Sequence, residues 1–548
     1  MSTHNGLRRK DMRDVQKWGV DRIYDHEITI LAWDMGAGKS VTALTAMDDL
    51  LEDGVVRRVL IVAPLLVAAA TFPDEFDEWK HLNHIDWTLL RAEDSDDDVL
   101  AAYKDALSVA KMIGIPSTSE AAAWANDKRS RAKADGISDQ EKLSRIRKEA
   151  YEKAKKMGLD TLDSSSWANR QKTKAKEWKR RRLANDRAEV HIINKEGLVW
   201  LWDHFERGKK WPYDMIIVDE ASMFKNGRKR TKLKQLSQFG VAAKARKYAK
   251  RVVLMTGTPA PKGLINMWGL AYIADLGERL GTSRTAFERR WFDSDYMGWN
   301  LEPKVNAHKQ ITERMSDIMF TLRPEDYPQL PPMLTKVINV ELPKKVLAEY
   351  RKFEKTLISE LYDVEAVNNG VLAGKLLQFA NGSMYDENGH DVWIHDEKLA
   401  ALEEVIEEAN GEPVLVAYSY KFDLARIRRR FKKAVVFGEG DVRKTKADWN
   451  AGKIDLMLAH PQSVGHGQNI QFGGNIMTWY GLTPDLELYQ QFNKRLHRPG
   501  QQRKVTNVHI IAKDTYDEDI LPLLRDRGQT QDSIMRAFRI SLINRKSK

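Results

Sequence analysis

Ile28–Thr42 reads ITILAWDMGAGKSVT, which is a β-prone run, a glycine-rich turn and the start of a helix. Glycines in the turn allow backbone N–H groups to close around phosphate oxygens, and the helix N-terminus adds the positive end of its dipole. Lys39 is placed to reach the β- and γ-phosphates of a nucleotide, and the Ser40 hydroxyl is placed to ligate Mg²⁺. The stretch therefore predicts a phosphate-binding loop at the start of an α/β fold.

One position departs from the usual pattern G-x-x-x-x-G-K-[ST]. Trp33 stands where that pattern has its first glycine. An ordinary strand–turn–helix corner is the alternative interpretation of the stretch. The nucleotide interpretation therefore needs a second motif at a suitable distance along the chain.

Bulk composition narrows the class of protein. The chain has 548 residues, 42% of them hydrophobic and 30% charged, which predicts about three or four soluble domains. No apolar run reaches the roughly 18 residues of a membrane span, and the N-terminus lacks the apolar core of a signal peptide. The chain contains no cysteine, which excludes disulfides, thiolate zinc sites and cysteine nucleophiles. We expect an intracellular, cytoplasmic protein without membrane contact.

Positive charge is clustered along the chain. The net charge is +11, and Arg170–Arg187 and Arg228–Lys234 are dense in lysine and arginine, whereas Glu93–Asp98 is acidic. Clustered basic charge favours a polyanionic partner, and a solvated charged surface is the alternative.

Hydrophobic runs alternate with helical stretches in two halves of the chain, as a parallel α/β sheet requires. The predicted strands are Ile28–Trp33, Val59–Ala63, Val190–Ile193, Met215–Val218, Val252–Met255, Val414–Tyr418, Val435–Phe437, Ile454–Ala459, Ile476–Tyr480 and Val505–Ile511. A charged helical insertion is expected over residues 91–187, and prolines near Leu330–Leu342 mark a boundary. The predicted domains are a first lobe, 1–330, carrying the insertion, and a second lobe, 331–548.

Two acids follow a predicted strand in the same lobe as the phosphate loop. Met215–Ala221 reads MIIVDEA, so the strand delivers carboxylates to its carboxyl end. Asp219 is expected to hold the metal and Glu220 to polarise the attacking water, and a surface Asp-Glu turn is the alternative.

Arginines in the second lobe complete the expected chemistry. Gln490–Gln501 reads QQFNKRLHRPGQ, in which Arg495 and Arg498 are three residues apart and share one face of a helix. An arginine that reaches the γ-phosphate from a second lobe contributes about 10³–10⁵ in rate. A basic surface helix is the alternative.

The ordered set of motifs resembles the Swi/Snf-type ATPases of helicase superfamily two, in a compact bacterial or phage-like version. The matching stretches are, in order, MRDVQKWGV, LAWDMGAGKS, VAPLLV, HIINKE, VDEASMFKN, LMTGTPAPKGLINMWGL, LVAYSY, SVGHGQNIQ and YQQFNKRLHRPGQ. The resemblance covers nearly the whole chain except 91–187. It implies two tandem RecA-like P-loop NTPase lobes with parallel sheets, and a DEAD/DEAH-like hydrolase.

The resemblance also assigns roles to particular residues. Gln16 would recognise adenine, Asp219 with Ser40 would hold Mg²⁺, and Thr256–Thr258 would couple the acids to the second lobe. The other residues expected to bind ATP are Met35, Gly36, Ala37, Gly38, Lys39, Ser40, Gly467 and Gln491, and those expected to be catalytic are Lys39, Glu220, Arg495 and Arg498.

Some positions depart from the family pattern or imitate other sites. Ser222 replaces the histidine of DEAH-type proteins, which leaves open how tightly hydrolysis is coupled to closure of the lobes. Lys262 stands where an asparagine is common. Asp391 with Asp396–Lys398 imitates a nuclease arrangement, for which chance is the better explanation.

The predicted function is an ATP-dependent DNA translocase, a helicase-like ATPase that moves on double-stranded DNA with ATP and Mg²⁺. DNA contacts would be largely to phosphates and independent of base sequence. A strand-separating DNA or RNA helicase is one alternative, and a non-hydrolysing nucleic-acid clamp that retains the fold is another. The insertion is a possible docking site for a protein partner.

Overall fold

The computed structural model describes most of the chain. The described ranges are 6–34, 36–65, 67–93, 96–113, 115–134, 163–224, 227, 236–257, 259, 263–294, 301–322, 330–362, 369–386, 389–464 and 469–529, with isolated positions between 144 and 155. Met35, Thr258, Lys262, Gly467 and the basic cluster Arg228–Lys234 lie outside the described residues, so their predicted roles stay predictions.

Helices and strands alternate through both halves of the chain. The helices are α1 (Asp14–Asp25), α2 (Lys39–Glu52), α3 (Phe72–Glu78), α4 (Asp97–Met112), α5 (Glu120–Ala134), α6 (Ser164–Ala184), α7 (Leu198–His204), α8 (Gln238–Ala245), α9 (Met267–Asp275), α10 (Arg284–Trp291), α11 (Ala307–Met315), α12 (Lys344–Tyr362), α13 (Asn369–Ala380), α14 (Glu397–Glu408), α15 (Lys421–Arg430), α16 (Val442–Asn450), α17 (Pro461–Val464) and α18 (Leu486–Asn493).

The ten predicted strands fall close to their predicted positions, and the described ranges contain seven further strands that the sequence did not predict. They are β1 (Ile28–Ala32), β2 (Val59–Ala63), β3 (Trp87–Leu89), β4 (Val190–Asn194), β5 (Met215–Val218), β6 (Arg251–Thr256), β7 (Phe292–Ser294), β8 (Leu301–Pro303), β9 (Met319–Phe320), β10 (Leu334–Val340), β11 (Ser383–Tyr385), β12 (Asp391–Trp393), β13 (Val414–Ala417), β14 (Val435–Val436), β15 (Leu456–Ala459), β16 (Ile476–Trp479) and β17 (Thr506–Ala512).

The first lobe is built on a seven-stranded sheet in the order β3-β4-β2-β5-β6-β1-β9. The pairs β2–β5, β5–β6, β1–β6 and β1–β9 are parallel. Every residue of β2 and β5 is buried, as expected for strands that are covered on both faces. The edge strand β9 has two residues, which is too short to leave a periodic signal in the sequence.

The second lobe is built on a six-stranded sheet in the order β10-β17-β16-β13-β15-β14, and its five pairings are all parallel. Alternate residues of β13 belong to two separate buried clusters: Leu415 packs in one, and Val414 and Val416 pack in the other. Because successive side chains point to opposite faces of a strand, the sheet has a hydrophobic core on each face. Both lobes therefore have the predicted parallel α/β architecture.

The proline-rich stretch near residue 330 contains more than a boundary. Residues Leu334–Val340 form β10, which pairs along its whole length with β17 at the edge of the second sheet. Most of its side chains are exposed, so it lacks the buried apolar pattern of the central strands.

Residues Thr88–His191 form a compact unit of their own, and Met1–Trp87 with Ile192–Lys548 form the other unit. The boundaries fall within β3 and β4. The two ends of the smaller unit lie together, because Thr88 Oγ1 donates to Asp186 Oδ2 at 2.5 Å and His191 Nε2 lies 2.7 Å from Asp186 Oδ1.

Charge in this smaller unit is paired between two packed helices, α4 and α6. The acidic start of α4 meets the basic end of α6: Lys179 Nζ lies 3.0 Å from Asp96 and 3.1 Å from Asp98, and Arg182 lies 3.6 Å from Asp98. The acids lie at the N-terminus of α4 and the basic residues near the C-terminus of α6, where the helix dipole stabilises charge of each sign. The insertion therefore begins acidic and ends basic because those two segments pair with each other.

None of the helices in the described ranges combines the length and the apolar composition needed to cross a bilayer.

Candidate nucleotide-binding cleft

The strand order of the first lobe brings three predicted motifs to one edge of the sheet. β6 lies between β5 and β1, and all three run parallel. Their carboxyl ends therefore meet at the same edge. The phosphate loop follows β1, Asp219 and Glu220 follow β5, and Thr256 ends β6.

The phosphate loop has the backbone that its glycines predict. Gly36 and Gly38 both have φ of 82°, a left-handed conformation in which L side chains are strained. Helix α2 then begins at Lys39, whose buried Nζ donates to the carbonyls of Trp33 at 3.0 Å and Asp34 at 3.2 Å. Burial lowers the pKa of Lys39, and the nearby acids Glu220 and Asp219 oppose that shift.

Helix α1 holds the loop from the side. Arg13 Nη2 donates to the carbonyl of Ala37 at 2.5 Å, a contact for which the sequence contained no recognised signal. Gln16 Oε1 accepts a hydrogen bond from the Arg13 backbone at 2.8 Å, and the Gln16 amide lies where a Cβ at Gly38 would be. Gln16 therefore lies against the phosphate loop, and its predicted contact with adenine stays a prediction.

The two acids after β5 lie in a poorly solvated environment. Glu220 is 7% exposed and has φ of 52°, an uncommon conformation for a residue with a side chain. Burial raises its pKa to about 8, and the neighbouring carboxyls of Glu487 and Asp219 add to the shift. Burial also raises the pKa of Asp219, whereas the Lys39 ammonium lowers it.

The second lobe brings Arg495 towards these acids. Arg495 follows α18, is 2% exposed, and donates from Nε to the Gln491 carbonyl at 3.0 Å. Burial, with a smaller contribution from the neighbouring Arg498, lowers its pKa to about 9, although the charges of Glu220 and Asp219 oppose the shift. Arg495 is thus close enough to both acids to interact with them electrostatically.

Arg498 has a different acidic neighbour. Burial lowers its pKa, and the opposing interaction comes from Glu75 on α3 in the first lobe. The predicted shared helix face is wrong, because α18 ends at Asn493 and both arginines lie in the turns that follow it. There the two arginines have different acidic neighbours across the cleft.

Several contacts join the lobes around the phosphate loop. Lys494 Nζ lies 2.8 Å from Asp34, and Lys446 Nζ lies 2.5 Å from Asp74. A Cβ built on Gly36 would lie 2.9 Å from Pro499 Cδ, so the absence of a side chain there allows the second lobe to approach. Their sequence separation of hundreds of residues hides such pairs from sequence patterns.

Ser222 makes a further contact between the lobes. Its Oγ donates to Glu487 Oε1 at 2.5 Å and lies 3.3 Å from Glu220 Oε1. Glu487 belongs to α18, and no sequence signal marks it, because a single glutamate in an amphipathic helix is unremarkable by pattern.

These residues fit a nucleoside triphosphate with a divalent cation. The left-handed glycines and the start of α2 form a cradle of N–H donors for phosphate. The ammonium of Lys39 donates to backbone carbonyls, and phosphate oxygens can replace those carbonyls as its acceptors. Ser40 and Asp219 supply the oxygen ligands that Mg²⁺ prefers.

The nuclease-like arrangement is excluded as a site by burial. Lys398 is fully buried and pairs with Asp517, and its Nζ also donates to Asn381 Oδ1 at 3.0 Å. Asp391 is exposed on β12. The lysine therefore belongs to the core of the second lobe.

Two parallel α/β lobes, with the phosphate loop and acids on one and Arg495 and Arg498 on the other, define a two-lobed P-loop ATPase of the helicase type. The chain belongs to the SNF2-related family: the family model described as the SNF2-related domain matches residues 13–381. It has the ATPase core of that family, for which a nucleotide substrate and a divalent metal are typical.

Known proteins are similar over very different lengths. Protein p41 of Acyrthosiphon pisum secondary endosymbiont phage 1 is 34% identical over 518 residues, which cover 92% of this chain and 94% of that protein. The chromatin-remodeling ATPase INO80 of Mycosarcoma maydis is 28% identical over 154 residues, which cover 26% of this chain and 8% of that protein.

Solved structures of the same family also match. The Sulfolobus solfataricus SWI2/SNF2 ATPase core in complex with dsDNA is 16% identical, with a TM-score of 0.36, and the match covers 96% of this chain and 94% of that one. The core domain from the same organism gives 15% identity and a TM-score of 0.35, with 93% and 87% covered.

Proposed function

We propose that this protein hydrolyses ATP in the cleft between its lobes and uses the cycle to translocate on double-stranded DNA. The observation that supports hydrolysis best is that buried Arg495 of the second lobe lies close enough to interact electrostatically with Asp219 and Glu220 of the first, the two acids that also interact with Lys39. Bound Mg²⁺ would supply electrostatic stabilisation of the transferred phosphoryl group.

The residues of the chain have distinct tasks in this proposal. Lys39 and the loop N–H groups bind the phosphates, and Ser40 and Asp219 hold the metal. Glu220 orients the attacking water, and Arg495 places positive charge where negative charge develops as the γ-phosphoryl group passes from ADP to water. Arg498 is a second candidate for the arginine that reaches the γ-phosphate, although its acidic neighbour is Glu75.

DNA as the partner is supported by family membership and by the basic charge of the chain. Binding through phosphates would be independent of base sequence and would weaken with salt. A plot of the logarithm of the binding constant against the logarithm of the salt concentration would have a slope of about −0.9 per neutralised phosphate. A cytoplasmic location and a protein partner at residues 91–187 also remain proposals.

Steady-state ATPase assays with linear duplex DNA, single-stranded DNA and duplex RNA, each at two salt concentrations, test the proposal. We expect strong, salt-sensitive stimulation by duplex DNA, followed by displacement of a third strand in a triplex assay. Stimulation by single strands alone would indicate a strand-separating helicase instead. Absence of turnover on every nucleic acid would favour a clamp.

Variants test the residue assignments in the same assay. Lys39→Ala and Arg495→Ala are expected to lower the rate at least about 10³-fold while duplex binding persists, because the arginine acts on the transition state. Lys513→Ala, which removes an exposed cation of the second lobe paired with Glu341, is the control. Normal turnover in the Arg495 variant would refute its assignment as the arginine that reaches the γ-phosphate.

A further inference from the structure

The hydroxyl of Ser222 lies between two carboxylates that come from different lobes. Its Oγ is 2.5 Å from Glu487 Oε1 and 3.3 Å from Glu220 Oε1, and all three side chains are at most 9% exposed. A serine hydroxyl has a single proton to donate. The shorter distance indicates that the proton is directed to Glu487, on the second lobe.

Glu487 is held firmly on its own side of the cleft. It lies in the first turn of α18, where Asp485 caps the helix by accepting from the backbone N–H groups of Glu487 at 2.9 Å and Leu488 at 3.2 Å. One turn later, Gln491 Nε2 lies 3.4 Å from the same Glu487 oxygen. The glutamate is therefore fixed relative to the helix that leads into Arg495.

Ser222 is equally fixed relative to the acidic motif. It lies two residues after Glu220 in a short helical turn, Ala221–Phe224, which is separated from β5 only by Asp219 and Glu220. A bond from Ser222 to the second lobe therefore acts on the segment that carries the proposed water-orienting carboxylate.

We propose that Glu487, through its hydrogen bond with Ser222, is a positioning residue that sets the orientation of Glu220 when the lobes close. The inference rests on the proposed ATPase activity. The chain has Ser222 where DEAH-type proteins have histidine. The hydrogen bond from Ser222 to Glu487 of α18 would couple the acidic motif to the second lobe in its place.

Kinetics of four variants test the proposal. Glu487→Ala and Ser222→Ala are each expected to lower kcat for DNA-stimulated hydrolysis by about 10- to 100-fold with little change in KM for ATP, because misorientation of a catalytic group costs up to about 10²-fold. The double variant is expected to lose no more than either single variant. Glu487→Gln retains an acceptor oxygen for Ser222 and is expected to restore most of the rate.

A second measurement does not depend on turnover. Since the chain has no cysteine, Arg57→Cys in the first lobe and Lys433→Cys in the second allow specific attachment of a dye pair. In nucleotide-free protein, Glu487→Ala is expected to shift energy transfer towards the open form, whereas Glu487→Gln is not. Glu439→Ala, which removes an exposed carboxylate of the second lobe paired with Arg428, is the matched control.

The outcomes separate the inference from the proposed function. Unchanged kcat in Glu487→Ala, additive losses in the double variant, or equal losses in Glu487→Gln and Glu487→Ala would each overturn the positioning role. If the unsubstituted protein has no DNA-dependent turnover, the proposed function fails. The energy-transfer measurement still tests the contact between Ser222 and Glu487, and an unchanged signal in Glu487→Ala would overturn that contact.

Discussion

At the residue scale, the departure of the phosphate loop from its usual pattern has a packing explanation. Trp33, where the pattern has glycine, is fully buried and stacks on Trp18 with ring centroids 6.4 Å apart and planes at 20°. A Cβ built on Gly19 of α1 would overlap the Trp33 ring. The absence of a side chain at Gly19 therefore makes room for the indole.

This packing predicts the effect of one methyl group. Gly19→Ala is expected to destabilise the protein by about 1–3 kcal/mol, because overpacking forces the indole or α1 to shift. The midpoint of chemical denaturation measures the change. Trp33→Phe in the same background is expected to recover part of the loss.

Gly374 provides the control for this prediction. It also lies in a helix, α13, but a Cβ there would meet nothing within 4 Å. Gly374→Ala is therefore expected to be neutral or to stabilise by up to about 1 kcal/mol. Equal effects of the two substitutions would contradict the packing explanation.

At the element scale, helix α3 presents acids to basic groups of the second lobe. Asp74 lies 2.5 Å from Lys446 and 3.5 Å from Arg443 on α16, and Glu75 interacts with Arg498. Burial raises the pKa of Glu75 to about 7, the like charge of Glu78 adds to the shift, and Arg498 opposes it. The carboxylates of α3 thus face basic residues of α16 and of the turn after α18.

The raised pKa of Glu75 predicts how stability depends on pH. The folded protein binds this proton more tightly than the unfolded chain, in which the pKa is near 4.5. The stabilising contribution is therefore complete below about pH 4.5 and is lost as the pH rises to about 7. We therefore compare the free energy of unfolding of Glu75→Gln with that of the unsubstituted protein at each pH. The difference is expected to favour the variant more at pH 8 than at pH 5, by up to about 3 kcal/mol.

Denaturation midpoints at the two pH values measure this difference. Glu412→Gln, at an exposed glutamate of the second lobe that pairs with Arg503, is the control and is expected to show little pH dependence. A pH-independent effect of Glu75→Gln would show that the carboxyl titrates normally in the folded state.

At the scale of the whole molecule, the two sheets provide the lobes and the residues 88–191 form a separate compact unit. Acidic and basic residues of α4 and α6 pair within that unit. Part of the basic cluster that suggested a polyanionic partner is therefore already paired with acidic residues. The rest of α6, where Trp178 is 59% exposed, is a candidate surface for binding such a partner.

The close ends of this unit predict that it can be removed. Replacement of residues 91–185 by a short Gly-Ser linker is expected to leave a folded protein with ATPase activity, since every residue of the proposed cleft lies in the other unit. Circular dichroism and steady-state ATPase assays measure the outcome. Loss of duplex stimulation alone would assign DNA contact to the unit, and loss of folding would contradict its independence.

Local sequence determined the parallel α/β class, the central strands and the order of the motifs. These features depend on short-range properties: buried strands are continuous apolar runs, and a phosphate loop needs glycine at positions of positive φ. The SNF2-related family likewise followed from an ordered set of motifs, in which no single motif was sufficient.

Only the tertiary structure decided which residues meet across the cleft. Ser222 and Glu487 are separated by 265 residues, and Arg13 reaches the phosphate loop through the packing of α1. It also placed Arg495 and Arg498 in turns after α18, where the sequence predicted a helix, and gave them different acidic neighbours. The physical reason is that such pairs depend on how whole lobes and helices pack, and a local pattern of side chains carries no information on that packing.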